Sequence, residues 1–187
     1  AADVLRDQSF GHSVHFTHDI YEEWALAELL LRHEMDLPGF LQTVGEPQTL
    51  ARAAQLVGTR TLEHDRSGAS WLHLLASVQQ NDLRPVWHRS ILTAPLHSTR
   101  TIDLLSGLSA QLFALENGLL QKLLTALQTI EVVPNPMFLE NDALDLDYEM
   151  RVKLAQHAAL PKGRIWLRFF EWLIPQLQSL PLAIVPD

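Results

Sequence analysis

Apolar residues in this chain recur mainly three and four positions apart, the spacing that gathers side chains on one face of an α-helix. The longest such run lies between Thr99 and Glu131, where Ile102, Leu105, Leu112, Leu119, Leu123, Leu127 and Ile130 keep one apolar face. Asn117-Gly118 interrupts it, and because both residues tolerate positive φ the run predicts two helices or one kinked helix. A second stripe, Ile20, Trp24, Ala27 and Leu31 with Leu30 beside it, predicts a helix from Thr17 or Asp19 to just before Pro38-Gly39. Asp19 and Glu22 have the spacing of a capping box at its start.

Shorter periodic pieces fill the rest. A helical piece is expected at Phe40–Val44, and another at Pro47–Val57, with Pro in its first turn and Gly58 just past its end. Ser67 is placed to cap a helix through Trp71, Leu72, Leu75 and Val78, which Asn81-Asp82 ends. Pro85 opens a helix carrying Val86, Trp87, Ile91 and Leu92, and Pro95 punctuates the chain beyond it. After the loop Pro134-Asn135-Pro136, a helix is expected from about Asp145 to His157, and Pro161-Lys162-Gly163 resets the chain. From Ile165 to Ile174 the residues are apolar almost all round, as in a helix that is buried or docked on something. The fold class is therefore all-α, a single-domain bundle of about eight helices, with irregular helical-hairpin repeats as the alternative arrangement. Residues 1–16 read as an irregular N-terminal segment and 179–187 as an extended apolar tail.

Composition agrees. The 187 residues are 47% hydrophobic and 19% charged, which suits a chain that buries a core of its own. No composition shift or long linker divides it, so one domain is expected. The formal charge of −8, with no basic run, argues against binding a phosphate backbone. There is no cysteine, which removes disulfides, thiolate nucleophiles and thiolate metal sites together. No stretch reaches the ~18 apolar residues of a spanning helix, and Ala1–Arg6 opens no signal peptide, so a cytoplasmic location is the expectation.

Candidate chemistry is sparse. His12-x-x-His15-x-x-His18 could hold a metal from an irregular segment, with Asp19 beside it, although the first and last histidines fall on different sides of a helix. Glu22, Glu23, Glu28, His33 and Glu34 form an acidic group without the Glu-x-x-His spacing of a dimetal bundle, so a solvated face is expected. Asp145-x-Asp147-x-Glu149 lacks the glycine and distal glutamate of a calcium loop and reads as the negative cap of the following helix. No Gly-x-Ser-x-Gly elbow or phosphate loop occurs, and no cofactor is implied.

The segment Gly68-Ala69-Ser70-Trp71-Leu72-His73 resembles the opening of an ankyrin unit, and Pro95-Leu96-His97 and Gly107-Leu108-Ser109 echo parts of it. The step from Gly68 to Gly107 exceeds the ~33-residue ankyrin period. Five tryptophans, at 24, 71, 87, 166 and 172, exceed what a small core needs, and tryptophan is enriched at interaction hot spots. The leading expectation is a non-enzymatic adaptor, chaperone or assembly subunit that binds a protein partner or itself. Its expected surface is Trp166, Phe169, Phe170 and Trp172 with Leu182, Ile184 and Val185 of the tail. A helical enzyme or small-molecule binder, using His33, His64 or His73 with Glu34 or Asp65, is the alternative, and a metal protein through His12, His15 and His18 is the second alternative.

Overall fold

A computed structural model of the chain describes residues 5–7, 14–16, 18–114, 118–130, 132–140 and 146–177. The fold is all-α, and the chain forms two compact units, Ala1–Ser98 and Thr99–Asp187. The first carries α1 (Asp19–Arg32), α2 (Leu37–Thr43), α3 (Ala51–His64), α4 (Ala69–Gln80), α5 (Pro85–Leu92) and α6 (Ala94–His97). The second carries α7 (Thr101–Gly107), α8 (Ser109–Leu112), α9 (Leu119–Ile130), α10 (Pro136–Leu139), α11 (Tyr148–His157) and α12 (Arg164–Gln176). Twelve helices stand among the described residues where about eight were expected, because several periodic runs are broken into single turns.

Among the described residues strand is confined to two short antiparallel pairs, which the helical reading of the sequence omitted. β1 (Leu5–Asp7) and β2 (Val14–Phe16) pair with Leu5 opposite Phe16, inside the segment expected to be irregular. β3 (Val132–Val133) and β4 (Leu160–Pro161) pair with Val133 opposite Leu160.

In the first unit α3 packs against α1, α4, α5 and α6. Its buried face carries the small residues Ala53, Ala54, Val57 and Gly58, which let those neighbours come close, beside Gln55, Thr61 and Leu62. Gly58 lies inside α3, not past its end as its identity suggested. A Cβ added there would sit 2.8 Å from the Ala94 Cβ, so the missing side chain is what allows α6 to approach. Trp71 and Trp87 fill the space around this hub, both fully buried. The Trp71 indole N–H donates to the Ile91 carbonyl at 2.9 Å, and that of Trp87 donates to the Glu46 carboxylate at 2.7 Å.

Two boundaries correct the sequence reading. Pro38-Gly39 opens α2 instead of ending α1: Asp36 caps it by accepting from the Gly39 N–H at 3.1 Å, with Pro in the first turn where its missing N–H costs nothing. Asp19 is the first residue of α1, not its cap; the cap position belongs to His18, which makes no side-chain cap bond. Glu46, in the left-handed region at φ 51°, also accepts from the Arg84 N–H at 2.8 Å. That backbone bond, helped by the Trp87 indole and the Arg84 charge, holds its carboxyl below the usual carboxylate range against the opposing effect of desolvation.

In the second unit α9 buries Leu119, Leu120, Leu123, Ala126 and Leu127, the face its period predicts. Gly118 takes φ 54° where the long run was expected to break. Ile102, expected on that same apolar face, is instead exposed. Asp147 caps α11, accepting from the Met150 N–H at 2.7 Å, as its acidic approach suggested. α12 packs on α7 and brings its aromatic residues into the core of the unit.

Candidate functional site

Helix α12 is apolar on two faces, and the unit covers one. Trp166, Phe169 and Trp172, three and six positions along from the first, are buried. The Trp172 ring stacks on Phe113 at 5.6 Å and 10°, and Trp166 meets Phe169 edge-on at 6.2 Å. Leu167, Phe170, Ile174 and Leu177, the last at the C-cap, are 63%, 37%, 61% and 52% exposed. Their steps of three, four and three residues are those of a helix–helix seam. At 100° per residue this stripe centres about a third of a turn from the buried one. The sector holding Arg164, Arg168 and Glu171 is polar.

The expected interaction surface is thereby redrawn. Trp166, Phe169 and Trp172 face the unit's own core, because stacking against Phe113 and one another buries more apolar area than water contact allows. Phe170 stays at the surface, with its ring 5.4 Å from Trp166 and 5.9 Å from Phe169, so it joins the buried face to the stripe. Leu182, Ile184 and Val185 lie outside the described residues.

A second candidate lies between α1 and α3 in the first unit. Glu28 and Arg60 pair across it at 3.0 Å, and two adjoining hollows share this pair in their walls. One, of about 390 Å³, is lined by Arg32, Glu34, Thr61, His64, Asp65 and Ser70. The other, of about 490 Å³, is lined by Trp24, Ala27, Leu31, Leu56, Thr59 and Glu63. Trp24 is 61% exposed at this end, the least covered of the five tryptophans.

The structure thus brings together Glu34, His64 and Asp65 but leaves out two expected histidines. His33 stacks on Phe40 at 4.2 Å, and His73 is exposed on α4, neither lining the cleft. Asp65 has no capacity left for catalysis. Its two oxygens accept from the Ser67 and Ser70 hydroxyls at 2.6 and 2.8 Å and from their N–H groups at 3.0 and 2.9 Å. The Ser67 hydroxyl first, then the Ser70 N–H and hydroxyl, hold its carboxyl well below the usual carboxylate range. Asp65 therefore fastens the start of α4. Among the described residues the Glu34 carboxylate accepts a long 3.4 Å bond from the Thr61 hydroxyl, and the His64 side chain makes no hydrogen bond.

Of the histidine series, His12 lies outside the described residues, His15 sits in β2 and His18 is exposed at the start of α1. Among the described residues no three His, Asp or Glu side chains gather as a metal site, and no helix is long and apolar enough to cross a membrane. No protein-family model, curated protein or solved structure matches the chain. The stripe on α12 and the role of Glu46 escaped sequence reasoning. Two overlapping helical periods hide the stripe, and the partners of Glu46 are far away in sequence.

Proposed function

We propose that this chain is a non-enzymatic protein-interaction module, of the adaptor, chaperone or assembly-subunit kind, which binds through the outward face of α12. One observation carries the reading: Leu167, Phe170, Ile174 and Leu177 form a continuous exposed stripe on a helix whose neighbouring face is anchored by three buried aromatics. Scattered exposed apolar residues are ordinary, but a stripe at seam spacing on a rigid helix is the form in which helices present contacts to partners. Burying each of these side chains would favour a complex by about 1–2 kcal/mol, enough together to support specific binding after the costs of association. The well-packed inner face holds the stripe in place before binding, which lowers that cost.

A selection of helical peptides on the immobilised full chain tests it. Selected peptides should shield Leu167, Phe170, Ile174 and Leu177 from carbene footprinting and lose binding in the Leu167→Asp/Ile174→Asp variant. Peptides indifferent to that variant would refute the reading.

The α1–α3 cleft supports a second reading, a small-molecule binder, because an exposed indole and a polar group of Glu34 and His64 line adjoining hollows. A metabolite panel that raises the melting temperature of the native chain but not of Trp24→Ala would favour it. A flat response across the panel would dismiss it.

A further inference from the structure

The partner's chemistry is legible beside the stripe. Lys162 and Arg164 stand at the start of α12, exposed, and among the described residues neither pairs with a carboxylate. That end of a helix carries the positive pole of the backbone dipole, where acidic side chains are favoured and cations are not. α1 and α11 open with Asp19 and Glu22 and with Asp147 and Glu149, whereas α3, α4, α5 and α9 open without an acidic residue. α12 has no acidic residue in its first turn. A chain of formal charge −8 thus puts two cations, unpaired among the described residues, at the positive end of a helix that also bears an uncovered apolar seam.

Resting on the proposed interaction role, we infer that the occupant of this face is an amphipathic α-helix of a partner protein with carboxylates flanking its apolar seam, set against Lys162 and Arg164. The seam from Leu167 to Leu177 spans about 15 Å at 1.5 Å per residue, so it matches a partner helix of about three turns. Leucine-sized side chains at three- and four-residue steps interlock with the stripe, and the flanking carboxylates answer both the two cations and the dipole. Charge acts locally here: beyond about 8 Å at physiological salt the more distant acidic residues are screened from the contact, and Glu171 is the acidic residue that α12 itself places near the seam.

A defined probe separates this inference from the broader reading. Two synthetic peptides of about three to four helical turns share leucines at seam positions and differ only in flanking residues, glutamate in one and lysine in the other. Fluorescence anisotropy with the full-length chain should show the glutamate peptide binding at least tenfold tighter. Raising salt should erode that difference. Lys162→Glu/Arg164→Glu should reverse the preference, and Leu167→Asp/Ile174→Asp should abolish both. Equal binding of the two peptides, both lost in the stripe variant, would overturn the acidic partner while leaving the interaction role standing. No binding of either peptide overturns the inference. So does binding to anionic vesicles in place of the glutamate peptide, or a dimer in light scattering that the stripe variant dissociates. Footprinting that finds the four stripe residues already shielded in the free monomer overturns it too, because the chain then covers its own seam.

Discussion

α3 turns Ala53, Ala54, Val57 and Gly58 toward its neighbours, whereas α12 turns Trp166, Phe169 and Trp172. The small face of α3 lets four helices pack around it, so little of its apolar surface is left over. The bulky face of α12 is met by α7 and Phe113, and a second apolar face remains outside. The difference teaches where a functional surface can be sought. A helix that is central and small-faced is used up by the fold, while a helix at the edge of its unit, anchored by large rings, can keep a stripe in reserve.

The comparison breaks most visibly at Trp172. Trp172→Ala should cost about 3–5 kcal/mol in denaturant unfolding, because a buried indole is removed from a stacked cluster. Trp172→Phe should cost far less. The buried indole N–H has no hydrogen-bond acceptor among the described residues, so its loss removes an unsatisfied donor along with some volume. If the two substitutions were equally harmful, the stacking account of α12 would fail. On α3 the matching test adds atoms. Gly58→Ala places a methyl 2.8 Å from the Ala94 Cβ and should destabilise by about 1–3 kcal/mol, although alanine is the better helix former. A stabilised variant would mean that α3 and α6 do not approach as described.

These two helices also mark how far the sequence could be read. The face of α9, the start of α5 at Pro85 and the cap of α11 at Asp147 were legible, because period and capping are local signals. Gly58 and Pro38-Gly39 misled, since glycine serves close packing as well as helix ends, and proline begins helices as readily as it stops them. The apolarity of α12 was plain, but not which face would be covered: positions 166, 169 and 172 and positions 167, 170, 174 and 177 are both good helical stripes. Choosing between them takes Phe113 and α7, which are distant in sequence. The convergence of Glu34, His64 and Asp65 was legible as residue types, yet the four hydrogen bonds that commit Asp65 to structure were not.

A smaller effect tests the ordered start of α4 in the first unit. The folded carboxyl of Asp65 titrates below its unfolded value of about 3.9, so its contribution to stability is present above that pH and is lost as pH falls toward the folded value. Asp65→Asn should lower the melting temperature by the same amount from pH 7 to 5, and the gap to the native chain should close below about pH 4. A gap that persists unchanged at pH 2.5 would show that the carboxylate charge has no part in fastening Ser67 and Ser70.

The smallest expected change in stability is the one on which the contrast between the helices depends. Leu167→Asp/Ile174→Asp alters two side chains that α12 leaves mostly in water, so the unfolding free energy should move by no more than about 1 kcal/mol, about 0.5 for each substitution. Trp172→Ala lies on the same helix, five residues from Leu167 and two from Ile174, and should cost several times as much. Measuring both in one chain turns the two faces of α12 into a ratio. A large ratio leaves the stripe free of any duty in the fold, and binding lost in the double variant then reports on the surface alone. A ratio near one would mean that the stripe is already covered within the chain, and α12 would join α3 as a helix consumed by its own packing.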